Sequence, residues 1–205
     1  MGREIWAQYK IPVYFYEEAA MRPEHKRLES LRSGEFEQLQ EAVLRDSGRA
    51  PDVGGPGLHP SAGAVAVGAR KFLIAYNINL DTPDVSIARK IARSIRASNG
   101  GLPCVKAIGV ELKNRNLAQV STNLTDFEQT SPRRVFEAVR LEAGRNGCSI
   151  YSSEIVGLVP RRALSIEDEA VLQLEDFSPE RKILENRLET VINAGMPGRI
   201  SLPGI

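Results

Sequence analysis

From residue 71 to residue 160 the chain alternates short apolar strands with amphipathic helices, and their order leaves few ways to fold. Residues 71–80 read as a strand, with Phe72, Ile74, Tyr76 and Ile78 on one face and Leu73, Ala75, Asn77 and Asn79 on the other. Asp81 or Thr82 offers a helix cap with Pro83 in the first turn, and Val85, Ala88, Ile91, Ala92 and Ile95 recur at helical spacing until about Ala97. Asn99, Gly100 and Gly101 stop that helix. Residues 105–112 and 117–124 form two strands across a polar turn, as in a hairpin. Ser131 and Pro132 open a second helix with the apolar stripe Val135, Ala138, Val139 and Leu141, and residues 149–160 hold a last strand. Two right-handed β-α-β crossovers joined by a hairpin set both helices on one face of a four-stranded antiparallel sheet. The expected fold is α+β, a ferredoxin-like β-α-β-β-α-β sandwich.

The flanks are less regular. Residues 5–9 read as the tail of a helix and 11–16 as a strand rich in β-branched and aromatic residues. Too little chain precedes that strand to pair with it, so it is expected to lean on the body or on another chain, and self-association follows. Residues 23–31 and 35–44 read as helices, and His25, between Glu24 and Lys26, is expected to be exposed. After Pro160, residues 165–172 and 178–192 read as helices, the second opened by Ser178-Pro179-Glu180, and a loose tail runs from Gly195.

Composition excludes some classes. A formal charge of +1 over 205 residues offers no basic excess for nucleic acid. No apolar run is long enough to span a bilayer, and the first residues lack the order of a signal peptide. Two cysteines without a CxxC spacing suit reduced, packed thiols and a cytoplasmic setting, and no His/Cys spacing implies a metal.

The candidate ligand site is a glycine-rich loop made of Gly54, Gly55, Pro56, Gly57, Leu58, His59, Pro60, Ser61, Ala62 and Gly63. Its glycines let backbone amides approach a ligand, and Arg70 and Lys71 stand beyond it where an anion could lie. A mobile surface connection fits the same residues. His59 is a candidate acid or base. Asn77 and Asn79 on one strand, and Gln119, Ser121 and Asn123 on another, form a polar strip that reads either as a groove or as the solvated face of the sheet. The pairs Arg133 and Arg134, and Arg161 and Arg162, are either carboxylate contacts or exposed charge.

The segments GARKFLIAYNINL, NLAQVSTNLTDF, SEIVGLVPRRAL and FSPERKILENRL, in this order and with the glycine-rich loop, resemble the glutamate formimidoyltransferase family, the folate-dependent transferases of histidine breakdown. The resemblance implies transfer of a formimino group from N-formimino-L-glutamate to N5 of tetrahydrofolate, with the folate between two subdomains and the ten loop residues named above as its contacts. It also implies that residues 1–48 are a remnant of the N-terminal subdomain, 49–69 a connecting loop and 70–205 the C-terminal subdomain. The family's His-Pro-Arg histidine has no counterpart here, so no catalytic residue is assigned and His59 is its only nominee. The expected partners are folate, formiminoglutamate and either a second copy or a chain supplying the missing half. A folate-binding pseudoenzyme and a small-molecule-binding regulatory module stand as alternatives, the latter by fold analogy.

Overall fold

The computed structural model describes residues 1–195 and divides the chain into two compact units, Met1–Arg70 and the part from Lys71 onward. The tail expected from Gly195 lies, after that residue, outside the described residues.

In the first unit, α1 (Gly2–Tyr9) ends at Lys10, whose left-handed backbone lets its N–H bond back to the Trp6 carbonyl. Strand β1 (Val13–Glu17) then pairs in parallel with β2 (Val65–Ala69), Val13 opposite Val65 and Glu17 opposite Ala69. The expectation that residues 11–16 lack a partner within their own part of the chain is therefore corrected. A parallel pair requires a long crossover, and here it contains α2 (Leu28–Leu31) and α3 (Glu35–Arg45). The span 49–69, read from sequence as a connection, ends in β2 and belongs to this unit.

His25 is also corrected, because it is 1% exposed. The expected helix is a single 3-10 turn here, Pro23–His25, which delivers the ring inward. Nδ1 lies 2.9 Å from Asp52 Oδ2, Nε2 lies 3.0 Å from the Gly48 carbonyl, and the ring packs edge-on against Tyr14. Sequence placed the residue by its charged neighbours, whereas its burial depends on an aspartate 27 positions away.

The second unit holds β3 (Ile74–Leu80), α4 (Val85–Ile95), β4 (Val105–Leu112), β5 (Leu117–Leu124), α5 (Pro132–Arg145) and β6 (Ile150–Val156). The sheet order is β4-β5-β3-β6, and every neighbouring pair is antiparallel. Ile74, Tyr76, Ile78 and Leu80 of the central β3 lie on one buried face with Ala118, Val120 and Leu124 of β5 and Val105 and Ala107 of β4. Helices α4 and α5 complete this core with Ala88, Ile91, Ala92, Ile95, Val135, Phe136, Val139 and Ala143. Each fully buried aliphatic side chain contributes about 1.5–3 kcal/mol.

The details depart from the pattern where local cues compete. Strand β3 starts three residues late, leaving Phe72 partly exposed. Asp84, not Asp81 or Thr82, caps α4 by accepting from the Ser86 N–H at 2.8 Å, so Pro83 precedes the helix. The Ser86 hydroxyl first, and its N–H after it, hold the Asp84 carboxyl below its ordinary value. Leu141, assigned to the stripe of α5, is exposed, and Phe136 and Ala143 take the buried positions. Only one turn, α6 (Asp168–Val171), forms where a longer helix was expected. The expected helix over 178–192 breaks into α7 (Pro179–Lys182) and α8 (Leu184–Gly195). At the break, the buried Ile183 turns extended to bridge Val159.

Candidate functional site

The glycine-rich loop is built from its first residue onward. The Asp52 carboxylate, 1% exposed, accepts from the Phe15 N–H of β1 at 2.7 Å and faces His25, with Arg22 Nε 3.2 Å from Oδ1. That arginine contact is an ion pair without hydrogen-bond alignment, so Oδ1 is otherwise unsatisfied. Next, Gly54 adopts φ +83°, and a Cβ there would stand 2.6 Å from Trp6 Cδ2 of α1. The Gly55-Pro56 peptide bond is cis. The loop closes as a small hairpin in which His59 and Gly63 exchange both backbone bonds, at 2.8 and 2.9 Å. The loop is thus a constructed turn, held at both ends.

His59 lies inside this turn. Its Nδ1 accepts from the Ala62 N–H at 3.0 Å and the Ser61 N–H at 3.3 Å. Backbone amides only donate, so the neutral ring carries its proton on Nε2 and presents an N–H outward. In this geometry the neutral His59 ring has a donor at Nε2 and no lone pair there to take a proton.

Beside Leu58 a cavity of about 460 Å³ opens, lined by Tyr14, Leu31, Arg32, Phe36, Glu37, Leu39, Leu58, Ala64 and Ala66. That volume falls in the usual range for small-molecule sites, roughly 300–1,000 Å³. Phe36 is 39% exposed, and the Tyr14 hydroxyl, which donates to the Arg49 carbonyl at 2.7 Å, is pushed up to about 12 chiefly by burial. Sequence reasoning missed Phe36 and Tyr14 because each sits in an ordinary helix or strand pattern.

The other nominated residues lie in the second unit or at its margin. Arg70 is exposed. Lys71 donates to Asp126 Oδ2 at 2.7 Å and to Glu128 at 3.4 Å, so its charge is met within the fold. That bond, first among the causes, holds the Asp126 carboxyl below its ordinary value. A depressed carboxylate stabilises the fold above the ordinary carboxylate range and loses that contribution as pH falls through the folded value. Lys71→Met is expected to move the Asp126 titration upward in carboxyl NMR, and an unmoved titration would refute the assignment. Arg133 faces the buried Asp168 at 3.6 Å, which supplies the anion that arginine at a helix start calls for. Arg161 pairs with Glu189, and Arg162 pairs with Glu128 at 2.8 Å over the Phe127 ring. These arginines balance charge inside the unit.

The polar strip lies on the sheet face opposite the core. Register sets Asn77 beside Ser121 and Glu154, and Asn79 beside Gln119 and Ser152. The Asn77 amide donates to Glu154 Oε1 at 3.0 Å, Gln119 donates to the same oxygen at 3.1 Å and to Asn79 Oδ1 at 2.9 Å, and Asn79 donates to Ser152 at 2.9 Å. Asn79 is fully buried and Gln119 is 5% exposed, while Asn123 at the end of the strip is exposed. Glu154 organises this network and was not nominated, because one glutamate between two serines and an isoleucine carries no local signal.

Comparison with known proteins bears on both units. Residues 1–70 match the family model described as "Formiminotransferase domain, N-terminal subdomain", and residues 75–170 match the one described as "Formiminotransferase domain". The chain belongs to the formiminotransferase family. It is 48% identical over 188 residues to the glutamate formimidoyltransferase of Streptococcus pyogenes serotype M1, covering 92% of this chain and 62% of that protein. It is 45% identical over 195 residues to that of Thermoplasma acidophilum, covering 94% and 63% respectively. With the mouse formimidoyltransferase-cyclodeaminase it shares 43% over 169 residues, covering 80% of this chain and 31% of that one. The chain thus spans about three fifths of the length of the first two relatives. Among the described residues, no helix is long and apolar enough to cross a membrane.

Proposed function

We propose that this chain binds tetrahydrofolate at the glycine-rich loop and serves transfer of a formimino group to it from N-formimino-L-glutamate. The observation that carries the reading is the cavity beside Leu58, formed within residues that match the family's N-terminal subdomain. Phe36 and Tyr14 among its lining residues suit an aromatic bicyclic ring, and the Arg32 and Glu37 side chains suit that ring's acceptors and donors. The His59 Nε2–H and the backbone of Gly57, beside which a Cβ would find open space, offer further polar contact. In the overall reaction the folate N5 forms a bond to the amidine carbon and loses a proton, the bond from that carbon to the glutamate nitrogen breaks, and glutamate leaves with the proton. The strand order and all-antiparallel pairing of the second unit support a ferredoxin-like reading of it.

A titration with tetrahydrofolate followed by intrinsic fluorescence tests the site. Gly63→Val is expected to weaken binding at least tenfold, since Gly63 holds φ +68° and a Cβ would press on Phe36 at 3.2 Å. Unchanged affinity in that variant, or no binding by the wild type, would remove the loop from the account. A second reading, a chain that binds folate without completing transfer by itself, is favoured by one observation: His25 is engaged through both ring nitrogens and His59 through Nδ1, so neither ring keeps an open lone pair to take a proton. Formation of 5-formiminotetrahydrofolate by the purified chain would rule that second reading out.

A further inference from the structure

Glu154 is an anion held by hydrogen bonds from neutral amides, with no cation in direct contact among the described residues. Both amides that reach it, from Asn77 and Gln119, land on Oε1 and leave Oε2 clear of them. Among the described residues Glu154 makes no ion pair. Arg115, whose charge it feels, is committed to Glu175 through two bonds of 2.5 and 2.9 Å. The amides are themselves locked: Gln119 also donates to the buried Asn79, which bonds Ser152 and reaches Glu175 at 3.4 Å. Glu154 is half-buried on a sheet face that carries neither α4 nor α5. Preorganised amides that fix one oxygen and orient the other make a receptor for a planar cation, because a carboxylate and a two-donor fork match in geometry and charge.

We infer that Glu154 is the contact for the amidinium of the formimino donor, held in place by Asn77 and Gln119. The inference rests on the transfer reaction proposed above. The formimino group is an amidine, protonated in neutral water, whose two N–H bonds spread like those of a guanidinium. The corresponding formamide is neutral and has a carbonyl where the amidine has an N–H. The site therefore selects the amidine by charge and by donor count, and Glu154 is a donor-binding residue.

Calorimetric titration of the purified chain with N-formimino-L-glutamate, N-formyl-L-glutamate and tetrahydrofolate tests this. The wild type is expected to bind the formimino compound at least tenfold more tightly than the formyl one. Glu154→Gln, which keeps an acceptor for both amides, should erase that preference while leaving tetrahydrofolate affinity and the thermal midpoint unchanged. Glu154→Asp should keep part of it. Equal binding of the two glutamates by the wild type, or an undiminished preference in Glu154→Gln, overturns the inference. Glu154-dependent amidine binding without tetrahydrofolate binding would uphold it and sink the folate assignment of the loop instead.

Discussion

Gly109→Val is expected to destabilise the second unit by about 3 kcal/mol or more, the upper end of overpacking costs. Gly109 lies on the core face of β4, opposite Val120, where α4 crosses the sheet. A Cβ there would collide with the backbone N of Arg89 and stand 2.6 Å from the carbonyl carbon of Ala88. Both are helix backbone atoms, so no side chain can rotate away and α4 must lift, opening gaps around Ala88, Ile91 and Ala92. A fall of roughly ten degrees in the melting midpoint follows. Gly144→Ala in α5 is the matched control: nothing lies within 4 Å of its Cβ, so it should stabilise by about 0.5–1 kcal/mol. Equal midpoints for the two variants would show that the close approach of α4 to β4 is absent in solution.

Asp52→Ala is expected to cost the first unit about 3–5 kcal/mol and to abolish tetrahydrofolate binding. One carboxylate accepts from the Phe15 N–H and the buried His25 ring and faces the Arg22 charge, so its removal strands two donors and takes away the countercharge of an arginine that keeps its bonds to the Ser47 and Pro51 carbonyls. It also frees the start of the glycine-rich loop from β1, although the neighbouring backbone bonds between Val13 and Val53 remain. Urea unfolding gives the stability change, and amide exchange at Phe15 should rise most. Wild-type exchange at Phe15 in the variant would show that Asp52 does not anchor the loop.

These two sites differ in how much of each was legible. The helices α4 and α5 and the four strands around them follow from 3.6- and 2-residue periodicity and from caps such as Ser131, all of them cues within a few residues. Gly109 read as an ordinary strand residue, since only the path of α4 makes it indispensable. Strand β2 was hidden because its VAVGA composition, small and glycine-bearing, resembles the loop before it. It is a strand because β1 pairs with it from 52 residues away, Val13 to Val65.

The same division holds for the candidate site. Its glycines marked the loop and the resemblance named folate as its ligand, while alternation set Asn77, Asn79, Gln119, Ser121 and Asn123 on common faces. Nothing in the local pattern showed that Lys71 is spent on Asp126, or that His59 accepts through Nδ1 and therefore donates through Nε2.

Sequence alone determined the order of elements in the second unit and the position of the glycine-rich loop, because both are written in short-range spacing, and it carried the family resemblance in four segments of the chain. Tertiary structure alone decided which strand completes β1, that His25 is buried against Asp52, that Ile183 interrupts a helix to meet Val159, and that Glu154 gathers two amides. In each of these the deciding partner lies 24 or more positions away. Burial and charge balance belong to the contact, and no local stretch of sequence contains it.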